Sequence, residues 1–157
     1  MKGITPCLWF DTQAEEAVEF YTSIVKDSRI GERAYYGEGA PMPAGTLLTV
    51  RFELQGQEFL ALNGGPMFKF THAVSFVLNS ETQEEVDYLW EKLSEGGEVE
   101  QCGWLRDKYG ISWQVVPTIV GKMMQDPDRE RSNRVMAAIM QMVKLDIATL
   151  EAAYHGE

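Results

Sequence analysis

A strand–turn–helix segment occurs twice in this chain, and that repeat limits the possible folds more than any other feature. Residues 8–21, LWFDTQAEEAVEFY, are echoed by residues 75–90, SFVLNSETQEEVDYLW. Val18-Glu19-Phe20-Tyr21 aligns with Val86-Asp87-Tyr88-Leu89 without a gap. Each copy reads as a short apolar strand, a polar turn and an amphipathic helix. A repeat of this size implies one supersecondary unit used twice. It also leads to the expectation of a functional cleft shared by two similar halves.

Both halves extend the pattern in the same way. In the first, ITPCLWF (residues 4–10) is apolar on both parities, as expected for a strand buried on both faces. Thr12 and Glu15 have capping-box spacing. Ala14, Ala17, Val18, Tyr21, Ile24 and Val25 then form one helical stripe. Residues 29–36 suit an edge strand, and Gln55-Gly56 suits the turn of a hairpin between TLLTVRFEL and EFLALN. The connector GGPMFKFTH breaks the chain. The second half repeats the layout: AVSFVLN, a Thr82/Glu85 capping box, and a stripe of Val86, Leu89, Trp90 and Leu93 ended by Gly96-Gly97. Then come EVEQ, CGWLRD and ISWQVVP, with Lys108-Tyr109-Gly110 as the last turn.

The expected fold is therefore α+β. Two strand–helix–strand–strand–strand modules occupy about residues 1–65 and 72–117, and a helical tail follows over about 118–157, in a single domain. In the tail, Asp126-Pro127 marks a helix start, Met136, Ile139, Met140 and Val143 form a stripe for packing against the domain or a second subunit, and Asp146 caps a last short helix.

Composition narrows the partners. The 157 residues carry a formal net charge of −10, with no basic cluster, which argues against nucleic acid or an anionic membrane surface. No apolar run is long enough to span a bilayer, and the N-terminal residues lack the layout of an export signal. Cys7 and Cys102 read as buried reduced thiols, so a cytoplasmic location is expected.

The layout resembles the vicinal oxygen chelate superfamily of glyoxalase I, extradiol dioxygenases and bleomycin-resistance proteins. ITPCLWFDTQAEEAVEFY, LNGGPMFKF and GWLRDKYGISWQVVP with a helical tail are similar to its PhnB-like branch, labelled 3-demethylubiquinone 3-methyltransferase-like. The resemblance covers nearly the whole chain. It implies mixed sheets that curl around a shared cavity, a divalent metal in many members, and a homodimer.

Strand parity assigns residues to that cavity. Ala73, Ser75 and Val77 face inward from AVSFVLN, with Val74, Phe76 and Leu78 toward the helix. Ser112, Gln114 and Val116 face inward from ISWQVV, and Phe59, Ala61 and Asn63 from EFLALN. The resemblance places its four metal ligands at Pro6, Ala61, Ala73 and Gln114. Three of these have no donor atom, and an amide brings no negative charge to a cation. The expectation is no metal and no cofactor, with His72 as a neighbour of the third position. Cys7 has no accompanying histidine for nucleophilic work, and the paired acids Glu15-Glu16 and Glu84-Glu85 fit first helical turns.

The reading is a metal-free protein that binds an unidentified small molecule, or an enzyme whose reaction is not legible. Phe10, Asn63, Ser75, Trp104 and Gln114 line the site. Trp104 either stacks on a planar ligand or packs in a core. The alternative is a metal-dependent lyase or dioxygenase recruiting His72 and Asp107. Methyl transfer has little support, because the first strand runs into Asp11-Thr12 without a glycine-rich loop.

Overall fold

The computed structural model describes all residues, 1–157, and is α+β. The chain forms two compact units, Met1–Phe70 and Thr71–Glu157.

The first unit holds β1 (Cys7–Phe10), α1 (Ala14–Ile24), β2 (Ser28–Tyr35), β3 (Leu47–Leu54) and β4 (Gln57–Asn63). Its sheet order is β1-β4-β3-β2, with β1 and β4 parallel and the remaining pairs antiparallel. Gln55 and Gly56 both have positive φ, 50° and 84°, which gives the β3–β4 hairpin the tight turn its sequence suggests. α1 buries the stripe Ala14, Ala17, Val18, Tyr21 and Ile24 against the sheet. Tyr21 stacks on Phe52 and Phe52 on Phe59, with ring centroids 6.3 and 5.1 Å apart. Full burial of side chains this large contributes about 1.5–3 kcal/mol each.

Two local expectations change here. The strand begins at Cys7, and Ile4 is exposed; Cys7 is exposed too, while Leu8 and Phe10 are buried. One face of β1 is therefore covered, not both. The start of α1 also lacks the Thr12/Glu15 box. Gln13 is the capping position without a side-chain bond, and the acceptor comes from β4: Asn63 Oδ1 receives Ala14 N–H at 2.9 Å.

The second unit holds β5 (Ser75–Ser80), α2 (Gln83–Ser94), β6 (Glu98–Val99), β7 (Trp104–Arg106) and β8 (Ser112–Pro117). Its sheet order β5-β8-β7-β6 repeats the first, with β5 parallel to β8 and the others antiparallel. Thr82 Oγ1 accepts from Glu85 N–H at 3.2 Å, and Gly96 follows α2 with φ 74°, as the sequence predicts. Val74 precedes the strand and is exposed, so only Phe76 and Leu78 of that trio belong to the helix side.

The tail folds as α3 (Thr118–Met124), α4 (Arg129–Met140) and α5 (Ile147–His155). Its core is Met123, Val135, Ile139, Leu145 and Leu150. Met136, Met140 and Val143 are exposed, so the buried stripe is offset by one residue from the methionine stripe. Asp146 caps α5 as expected. α4 starts later than Asp126-Pro127 suggests, with Asp128 as its cap. Asp126 instead accepts from Tyr154 Oη, tying the α4 approach to α5, with Arg131 over the Tyr154 ring at 5.3 Å.

Two outcomes follow from these contacts. Asn63→Ala removes the bonds to Ala14 N–H and to the Leu47 carbonyl from a residue 4% exposed. It should cost about 2–3 kcal/mol in urea unfolding. Asp126 has its carboxyl held below the usual range, first by the Tyr154 hydroxyl and then by Asp128 N–H. A depressed folded-state pKa means its stabilisation is complete above pH about 4 and is lost as pH falls through the lower folded value. The melting-temperature gap between wild type and Asp126→Asn should therefore be widest at pH 7 and shrink at pH 3.

Candidate functional site

Side-chain alternation divides each sheet between a face under its helix and a face away from it. In the first unit the helix-side set is Leu8, Phe10, Val50, Phe52, Phe59, Ala61 and Asn63, all buried. Phe10 pairs with Asn63, and its ring meets Phe70 edge-on at 5.2 Å. The expected inward placement of Phe59, Ala61 and Asn63 is thus reversed. Phe59 joins the aromatic core, and Asn63 spends its amide on the start of α1 and on the Leu47 carbonyl. Phe10 and Asn63 are consequently structural residues of the core side. The face away from α1 carries Cys7, Trp9, Leu60 and Leu62, through the pairs Cys7↔Leu60 and Trp9↔Leu62. Trp9 donates Nε1–H to the Gly65 carbonyl at 2.9 Å and lies edge-on to Phe68 at 4.9 Å.

In the second unit the expected parity matches the structure. Phe76, Leu78, Leu105, Trp113 and Val115 are on the α2 side, with Leu105, Trp113 and Val115 at most 2% exposed. The other face holds Ser75, Val77, Trp104, Arg106, Ser112, Gln114 and Val116, because Ser75↔Ser112, Val77↔Gln114, Trp104↔Gln114 and Arg106↔Ser112 are neighbours. Gln114 Nε2–H donates to Ser75 Oγ at 2.9 Å. Three of the five expected site residues, Ser75, Trp104 and Gln114, therefore share one sheet face.

That face includes residues missing from the expected site. Glu100 N–H bonds the Trp104 carbonyl, which continues the ladder one rung past β6. Glu100 Oε2 meets His72 Nε2 at 2.7 Å, and Glu100 Oε1 is buried with no partner. Arg106 is paired with Glu98. Parity could have found Arg106 once Trp104 was chosen, since the two lie two residues apart on one strand. Glu100 could not be found that way, because nothing in EVEQ marks where β6 ends.

The donor set does not fit a metal. Pro6, Ala61 and Ala73 have no donor atom. Replacing Pro6 and Ala61 by residues of the corrected parity gives Cys7, Leu60 and Leu62, which supply one thiol, and desolvation pushes its pKa up. His72 is engaged with Glu100. Asp107, the other alternative ligand, is 3% exposed and accepts from Tyr109 N–H, Ile111 N–H and Trp113 Nε1–H. No group of three or more His, Cys, Asp or Glu side chains is placed to hold a metal ion. The thiols Cys7 and Cys102 are exposed and half-buried respectively, not buried as expected: Cys7 opens β1 on the face away from α1, and Cys102 lies in the turn before β7. A groove of about 450 Å³ on the first sheet is lined by Arg29, Arg51, Glu53 and Glu58, whose charges pair with one another.

Two four-stranded mixed sheets of matching order, each with one helix between its first two strands, define an α+β protein built from one unit used twice. Residues 2–116 match the family model described as 3-demethylubiquinone-9 3-methyltransferase. A Bacillus cereus structure, described as a candidate 3-demethylubiquinone-9 3-methyltransferase and PhnB protein, is 37% identical. That match covers 74% of this chain and all of the other, with a TM-score of 0.68. PA1353 from Pseudomonas aeruginosa is 22% identical over 74% of this chain and 98% of its own, with a TM-score of 0.63. The fosfomycin resistance protein FosX from Mesorhizobium loti is 10% identical over 73% and 90%, with a TM-score of 0.51. The latter two establish the fold alone. Comparison with curated proteins gives no match. The chain belongs to the PhnB-like, 3-demethylubiquinone-9 3-methyltransferase-like family.

A metal-responsive site would be stabilised by its ion through linkage. Zn²⁺, Ni²⁺, Mn²⁺ or Fe²⁺ at ten equivalents should leave the melting temperature unchanged, in wild type and in His72→Ala alike. A rise lost in His72→Ala would overturn the donor-set argument.

Proposed function

We propose that the protein binds a small molecule on the face of the second sheet away from α2. The carrying observation is the Gln114–Ser75 hydrogen bond beside Trp104 in adjacent rungs. Gln114, with one N–H donated to Ser75, still has a second N–H and a carbonyl to offer, and Trp104 offers a half-exposed ring. An apolar surface with a few placed hydrogen-bonding groups is the usual make-up of a ligand site.

The family's methyltransferase description has no structural counterpart in the first strand–helix connection, which is a polar turn, Asp11-Thr12-Gln13, between β1 and α1. Binding without a metal, as a carrier or sequestering protein, accounts for the residues with fewer assumptions. No helix is long and apolar enough to cross a membrane. A cytoplasmic homodimer completes the proposal, in line with the reduced thiols and the superfamily resemblance; light scattering tests the assembly.

Screening by ligand-detected NMR should yield compounds whose binding falls about tenfold or more in Trp104→Ala and several-fold in Gln114→Ala. Compounds that bind all three proteins equally would place the site elsewhere.

A further inference from the structure

We infer that Cys102, Met140 and Met136 form a surface site for a soft monovalent ion, copper(I) in reducing surroundings. The inference is independent of the small-molecule binding proposed above.

The contact that carries it joins two distant parts of the chain. Cys102 Sγ lies 3.9 Å from Met140 Sδ, 38 positions further on. Cys102 is in the turn before β7, and Met140 is the last residue of α4. The thiol is held in place. Cys102 N–H donates to the Met142 carbonyl at 2.8 Å, its backbone has φ 61°, and the residue packs along the tail core. Met136 stands one turn before Met140 on α4, and side chains four residues apart share a helix face. Core packing does not account for these thioethers. Val135 and Ile139 fill the tail core, while Met136 and Met140 are 43% and 59% exposed. An ion arriving from solvent can reach them.

The spacing suits three-coordinate binding. Sulfur–metal bonds of about 2.3 Å set about 120° apart hold two sulfurs about 4.0 Å from each other. Cys102 Sγ and Met140 Sδ already have that separation. The third position falls to Met136, whose unbranched thioether side chain adapts readily.

The donors decide which ion. A thiolate with thioethers is a soft set that selects copper(I), whereas manganese and iron(II) favour harder oxygen and nitrogen ligands. Such a site is consistent with the indifference to harder divalent ions expected above. On binding, the Cys102 thiol releases its proton to solvent and its sulfur bonds the ion. No electron moves, and the metal stays monovalent. The thiolate cancels the single positive charge, and a chain of net charge −10 draws cations toward its surface.

The test uses the full chain under nitrogen with ascorbate. Copper(I) is supplied as its bicinchoninate complex, whose colour fades as the protein takes the ion. Wild type should withdraw one equivalent, and so should Cys7→Ser, which removes the only other thiol. Cys102→Ser should withdraw none. Met140→Leu should bind at least about tenfold more weakly, and Met136→Leu several-fold more weakly. Leucine keeps the bulk and loses the sulfur, and thermal unfolding verifies that each variant folds. Silver(I), equally soft and inert to ascorbate-free buffer, gives a reading that needs no variant. Of the eight methionine methyl signals, those of Met136 and Met140 should shift most with one equivalent. No uptake, uptake kept in Cys102→Ser, or silver shifts confined to other methionines overturns the inference. Full affinity in Met140→Leu also overturns it, by reducing the site to a thiol alone, and full affinity in Met136→Leu overturns the three-sulfur arrangement.

Discussion

One helix lies on one face of each sheet, and that one-sidedness determines what every strand residue can do. Alternation along a strand sends neighbours to opposite faces, so a residue is committed either to the helix-packed core or to the other surface. Tyr21, Phe52 and Phe59 in the first unit, and Leu105, Trp113 and Val115 in the second, meet the first demand. Once those positions are taken, the remaining parity is freer to vary, although Ser112 is buried and Val116 packs on the tail core.

The duplicated units have used that freedom differently. Ladder positions correspond between them: Cys7↔Leu60 matches Ser75↔Ser112, and Trp9↔Leu62 matches Val77↔Gln114. The first unit presents a thiol, an indole and two leucines there; the second presents hydroxyls, an amide and, one strand further on, Trp104. Apolar side chains in the first copy cannot recognise polar groups, and the second copy has the hydrogen-bonding groups that recognition of a polar ligand atom needs. Neither copy brings together the three or more carboxylate, imidazole or thiol groups that would hold a divalent cation.

How far the sequence could be read depended on whether local pattern and tertiary demand agreed. The repeat, the element order within each module, the Gln55-Gly56 turn, the Thr82 cap and the helix-side set of β8 were all legible, because each follows from spacing or from a turn requirement. EFLALN was not, because its apolar residues occupy both parities, Phe59 and Ala61 on one and Leu60 and Leu62 on the other, and the pattern alone does not choose between them. What reverses the choice is distant in sequence: Phe59 must meet Phe52, and Asn63 must reach the start of α1. The Thr12/Glu15 spacing misled for the same reason, since the acceptor came from another strand. Of the stripe Met136, Ile139, Met140 and Val143, only Ile139 joins the tail core, where its partner is Val135; the other three are exposed.

The tail gives the proposed binding face of the second unit a support that the matched family segment, residues 2–116, does not contain. After α4 the chain turns back, and the Met142 and Val143 carbonyls accept from Cys102 N–H and Gly103 N–H, both at 2.8 Å. Gly103 has φ 84°, and a Cβ there would lie 3.0 Å from Leu145 Cγ and 3.1 Å from the Val115 carbonyl oxygen. Only glycine fits that crossing without strain. The Gly103 carbonyl in turn accepts from Val115 N–H at 2.8 Å. Trp104 is the next residue, so its backbone is fixed from the tail on one side and from β8 on the other. Gln83, at the start of α2, binds the Leu145 carbonyl and Ile147 N–H and closes the same arrangement. An aromatic ring held by a loop alone would lose entropy on meeting a ligand, whereas one braced in this way is already in place, and less of the binding free energy is lost to ordering it.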